Sequence, residues 1–214
     1  MGLSIEVGYL AEALAGGEPE AADYFESTLE AVNRVLAAER LPRHVEPRTL
    51  PELASRCSLA GFPYSTLHYL RRAYAHRVRD PQWMAAPVQE GVDPADDPEV
   101  EAQTERFESH LLCHSDSEGW YVPADFAQIV FANEDDEIPG GMLGSTQRLR
   151  AELALVAPAL AIALGADGEL SDAEAARLDA LDTDHPMWRE LIAWFALWEA
   201  ARVSLASGCA IVFC

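Results

Sequence analysis

The segment from Pro186 to Ala206 constrains the fold more than any other part of the chain. Trp188, Leu191, Ile192, Trp194, Phe195, Leu197, Trp198, Val203 and Leu205 put apolar side chains on nearly every face of one helix. A helix that is apolar all round belongs at the centre of a fold, because no face of it suits water. Pro186 fits its first turn. Glu199 and Arg202 interrupt the pattern, and an ionisable group in such surroundings has to be paired or carry a large desolvation cost. Their i, i+3 spacing predicts that they pair with each other. The alternative is a proton-transfer role for Glu199 with a raised pKa.

Around that helix the pattern is mostly helical. Leu3 to Ala15 reads as a short amphipathic helix with Val7, Leu10, Ala11 and Leu14 on one face, ended by Gly16-Gly17. Pro19 opens a second helix to about Glu39. Pro42, Pro47 and Pro51 then impose an extended loop. A third helix runs from about Pro63 to Val78. Residues 81–100 form an acidic, Pro-rich surface loop. A helix from Glu99 to Leu112 follows. SDSEGWYVP reads as a loop and a short strand, DFAQIVFA fits either a strand or a helix, and NEDDEIPGG is a turn-rich acidic loop. IPGGMLGSTQ, from Ile138 to Gln147, is a Gly-rich loop whose backbone amides could hold an anion, without the Lys or spacing of a P-loop. Ser145 caps a long helix to about Leu164, and Ser171 with Glu174 forms a capping box. The tail AIVFC is a buried strand or a docked end. These elements predict a mainly α chain, α+β at the margin. It is a single domain, 1–214, of about seven helices with two or three short strands.

Charge limits the partners. The 36 acidic residues outnumber 15 basic ones, for a net charge of −21, and every basic residue is Arg. Such a chain repels nucleic acid and anionic membrane surfaces and favours basic partners, which its field can steer in. The absence of Lys and the abundance of Ala also suit a GC-rich genome, which is a compositional source of the same bias. Cys57, Cys113, Cys209 and Cys214 form no CxxC pair, so zinc-ribbon and thioredoxin-like motifs are excluded. The N-terminal stretch lacks a basic n-region, and no run of 18 apolar residues exists. The expected location is the cytoplasm, with free thiols.

The densest chemistry lies in HLLCHSDSEGWY, His110 to Tyr121. On an extended segment, His114, Asp116 and Glu118 would share one face. On a helix end, His110 and His114 would do so. His110, His114, Asp116 and Glu118 are therefore the candidate ligands for a divalent transition metal, and Cys113 is a candidate nucleophile. A polar turn with side-chain-to-backbone bonds explains the same residues without a site. The only basic element, Gly61 to Asp80, supplies His68, Arg71 and Arg72 as candidate ligand-binding residues together with Tyr121. Internal pairing with the chain's own carboxylates is the plainer account. ADGELSDAE resembles the second half of a calcium loop, but Ala163 and Gly165 occupy its first and third positions, which makes calcium unfavoured.

GFPYSTLHYLRR, HLLCHSDSEGWYVPADF and IPGGMLGSTQRL, with the opening MGLSIEVGYL and the ending LWEAARVSLASGCAIVF, resemble a family of small uncharacterised bacterial proteins over nearly the whole chain. The resemblance implies one domain with a loop insertion around 85 to 100, and no particular chemistry. By size and charge, immunity proteins that neutralise bacterial toxins are an analogy. The leading expectation is a non-enzymatic, acidic, cytoplasmic binding protein, of the kind of an immunity-type inhibitor of a basic partner. The alternative is a small metal-dependent enzyme or ligand-binding protein centred on His110 to Tyr121.

Overall fold

The computed structural model describes residues 2–59, 61–133 and 136–214. The helix expected at the centre is there: α8, Trp188–Ser207, has Trp194, Phe195, Leu197 and Trp198 fully buried. The two indoles stack 4.8 Å apart, and Trp194 Nε1 donates to the Leu153 carbonyl at 2.8 Å. Glu199, also fully buried, pairs with Arg202 at 2.6 Å as the spacing predicts. Burial pushes its carboxyl up. Hydrogen bonds from Arg56 and Arg202 outweigh this and hold it below its ordinary range.

The described residues form eight α-helices and a six-stranded mixed sheet, so the fold is α+β and the mainly α expectation undercounts the strands. The strands are β1 (Gly2–Val7), β2 (Gly61–Pro63), β3 (Gly119–Val122), β4 (Val130–Phe131), β5 (Met142–Ser145) and β6 (Ile211–Phe213), in the order β2-β1-β6-β3-β5-β4. Only β3 and β5 are parallel. The remaining helices are α1 (Tyr9–Gly16), α2 (Pro19–Ala38), α3 (Thr66–Arg79), α4 (Pro98–Thr104), α5 (His110–Cys113), α6 (Thr146–Val156) and α7 (Asp172–Asp179).

Side chains alternate across the sheet, as the two-residue period requires. Leu3, Tyr121, Ile211 and Phe213 face α3, α6, α7 and α8. Trp120, Val122, Leu143 and Val212 face α1 and α2. The sheet is thus the middle of three layers, with the α1–α2 pair alone on one side.

Several elements differ from the sequence expectation. The expected first helix begins as β1, where Ile5 pairs with Phe213 and Leu3 with Phe62. Gly8, at φ 91, makes the left-handed turn that starts α1 only at Tyr9. The Gly-rich loop before Ser145 contains β5, paired on both sides. The expected helix 99–112 is broken into α4 and α5, with Phe107 at φ 52 between them. The long helix to Leu164 ends as α6 at Val156 and a 3-10 turn, Ala157–Leu160. Ser145 and Ser171 do cap α6 and α7, accepting from the Arg148 and Glu174 amides. Glu174 makes no return bond to Ser171; its carboxylate takes the Ala163 amide instead. Residues 134 and 135 of the acidic loop lie outside the described residues.

Candidate functional site

The His110 to Tyr121 segment is an inner support of the fold. His110 caps nothing itself; its Nδ1 accepts the Ser145 amide at 3.0 Å, and its ring lies edge-on to Phe126. Its backbone amide and that of Leu111 donate to the Glu152 carboxylate at 2.9 and 2.7 Å. His114 is buried, stacked 4.2 Å from Tyr121 and edge-on to Phe213. Gly119, at φ 131, lets the His114 ring approach to where a Cβ would meet Cε1 at 2.7 Å. Burial pushes both imidazoles down to about 4, so they are neutral at pH 7. Tyr121 is also buried, and its hydroxyl donates to the His110 carbonyl at 3.0 Å.

Residues 114–118 form a bend before β3 starts at Gly119, so the expected period-two face does not exist. His114 turns inward, Asp116 turns to α3, and Glu118 stands exposed. Among the described residues, no group of three or more His, Cys, Asp or Glu side chains is placed to hold a metal ion, so His110, His114, Asp116 and Glu118 are not brought together. The structure does gather His68, Arg71 and Asp116. Arg71 donates to Asp116 and, at 2.9 and 2.5 Å, to the Leu111 and His114 carbonyls; His68 Nε2 lies 2.8 Å from Asp116. Arg72 turns away to Asp97, 2.8 Å distant, which also meets His76 and caps α4. Burial raises the Asp116 and Asp97 carboxyls, but hydrogen bonds from His68 and Arg71 to Asp116, and from His76, the Glu99 amide and Arg72 to Asp97, outweigh it and hold both low. All four cysteines are free thiols.

This pairing is general. Among the described residues, 11 of the 15 arginines lie within 4 Å of a carboxylate of the same chain. The chain's positive charge is largely neutralised locally, and the excess carboxylates are left at the surface. On the α1–α2 pair they include Glu12, Glu20, Asp23 and Glu30, with Glu18 exposed between the two helices. Among the described residues the ion pairs of these two helices are Glu26 with Arg48 and Arg34 with Asp136. A signal for this face was in the sequence: seven carboxylates precede the first basic residue, Arg34. The exposed Arg40 and Arg43, just past the end of α2, bound it.

Beside this face runs an open groove with α2 as one wall. One end, about 800 Å³, is polar and carries Glu30, Glu118 and Glu137 with Arg34. The other, about 570 Å³, is walled by Tyr9, Tyr24, Phe25, Tyr64 and Trp120. Tyr24, Glu118 and Pro139 belong to both ends, so the two are continuous. No helix among the described residues is long and apolar enough to cross a membrane. Neither the curated proteins nor the solved structures contain a match to this chain. A family model described as "Putative DNA-mimic protein" matches residues 1–213, and the chain belongs to that family.

Proposed function

We propose that this protein is a non-enzymatic DNA mimic, whose α1–α2 face occupies the basic surface with which a DNA-binding protein holds phosphates. The observation that supports it best is the display of Glu20, Asp23 and Glu30 on α2 without an ion pair among the described residues, while most of the arginines are held by the chain's own carboxylates. From Glu20 to Glu30, α2 rises about 15 Å at 1.5 Å per residue. Glu20, Asp23 and Glu30, which make no ion pair among the described residues, then supply one carboxylate per about 7.5 Å, roughly one for every two phosphates spaced about 3.4 Å along a DNA strand. A rigid helix keeps these charges in place without ordering flexible side chains on a loop, which lowers the entropic cost of binding. The field of a chain of net charge −21 steers a basic partner toward it. An immunity-type inhibitor of a basic toxin is the narrower form of this proposal, and the cytoplasm is its natural setting.

The test is displacement. Basic proteins held on immobilised duplex DNA at low salt are challenged with this protein and with a Glu20→Gln, Asp23→Asn, Glu30→Gln variant. The parent releases a defined subset, release weakens steeply with ionic strength, and the triple variant releases much less. Release of nothing, or equal release by the variant, ends the proposal.

A further inference from the structure

We propose that the aromatic end of the groove seats an arginine side chain of the basic partner, with its guanidinium against Tyr24 and its edge toward Glu118. This rests on the DNA-mimic reading and specifies how that reading achieves selectivity. Tyr24 is 66% exposed although it sits on the helix that bounds the groove, so an aromatic ring is held in water at the pocket's mouth. The floor is rigid: Tyr9 stacks on Phe25 at 5.7 Å, and Phe25 lies 4.5 Å from Trp120, which is 2% exposed. Glu118 stands on the rim of this pocket and of the acidic trough, which continues to Glu30 and Glu137.

The chemistry of those walls selects the occupant. Rings present their negative faces to a cation, and the carboxylate at the mouth repels any anion. A purely apolar anchor would fill the pocket but strip water from Glu118 without replacing its hydrogen bonds. A guanidinium satisfies both: its flat face stacks on a ring while its N–H fork donates to a carboxylate. An ammonium is a strongly hydrated point charge and gains less from the rings. The acidic trough alone would not separate Arg from Lys, so preference for Arg is the signature of the pocket.

The probes are hexa-arginine and hexa-lysine, titrated by calorimetry at low salt into the parent, Tyr24→Ala, Glu118→Gln and, as a control on the opposite side of the sheet, Asp182→Asn. Circular dichroism confirms that each variant is folded. The expected result is that hexa-arginine binds about fivefold or more tightly than hexa-lysine. Tyr24→Ala and Glu118→Gln each erase that preference, and Asp182→Asn leaves it intact. Equal binding of the two peptides, or a preference that survives Tyr24→Ala, overturns the pocket while leaving DNA displacement by the α1–α2 face standing. If displacement from DNA also fails, the mimic reading falls with it.

Discussion

Glu199→Ala should loosen the whole segment between α2 and β2. The Glu199 carboxylate is fully buried and takes hydrogen bonds from the Arg56 amide at 2.9 Å, Arg56 Nη2 at 2.6 Å and Arg202 Nη2 at 2.6 Å. Arg202 Nη2 also donates to the Ala54 carbonyl at 2.7 Å, so the pair pins a stretch with no helix or strand of its own onto α8. Removing one member of a buried ion pair costs about 3–5 kcal/mol, because the remaining charge is stranded. The Arg56 and Arg202 side chains keep 24% and 16% of their exposure, so water recovers part of that loss. We expect the lower end, about 3 kcal/mol, which for a chain of this size lowers the melting temperature by about 6–12 °C. Urea unfolding followed by circular dichroism gives the free energy, with the m-value unchanged. Hydrogen exchange at the Arg56 amide should accelerate, since its acceptor is gone. Glu199→Gln, which keeps an acceptor, should cost less. A Glu199→Ala loss under 1 kcal/mol, or unchanged exchange at Arg56, would refute the idea that this carboxylate anchors the segment.

The pH dependence carries opposing signs. His110 and His114 fall from 6.5 to about 4 in the folded state by burial, so the unfolded chain binds those protons first and stability drops as pH falls below 6.5. Glu152, raised to about 7 by burial against its hydrogen bonds, acts oppositely, contributing stability that is lost as pH rises from 4.5 through 7. With two imidazoles against one carboxylate, stability should fall by about 1 kcal/mol per pH unit from pH 6 to 5. Glu152→Gln should roughly double that slope in urea titrations at each pH; an unchanged slope would count against the Glu152 assignment. Gly144→Ala should destabilise by about 1–3 kcal/mol, because the added methyl collides with the ring of Tyr121, its neighbour in the parallel β3–β5 pair. Thermal melts of this variant and of a Gly144→Ala, Tyr121→Leu double variant should show the smaller ring-site residue relieving part of the loss; strictly additive losses would mean that the collision is absent.

What could be read from the chain was whatever is encoded within a few neighbouring residues. The all-round apolar run placed α8 at the centre, since such a helix has no face for water. Ser145 and Ser171 announced their helices through a cap that needs one side chain and an amide three residues on. Glu199 and Arg202 found each other by helical spacing, and the excess of acidic residues over Arg was plain from the chain alone. The sheet was not legible because its strands run only two to six residues, too short for a period to register, and their hydrogen bonds come from far along the chain. β1 is held by β6, from the opposite end. The same distance hid the groove, whose walls come from α1, α2, the Tyr64 turn, the bend at Glu118 and the tail at Phe213. It also changed the meaning of His110 to Tyr121. As a string, those residues could ligate a metal, but tertiary packing buried the imidazoles, gave Asp116 to Arg71 and His68, and left Glu118 alone facing outward. Sequence determined the charge and the central helix. Only the fold decided which carboxylates stay unpaired and where aromatic rings stand beside them, because pairing and exposure depend on partners that no local pattern specifies.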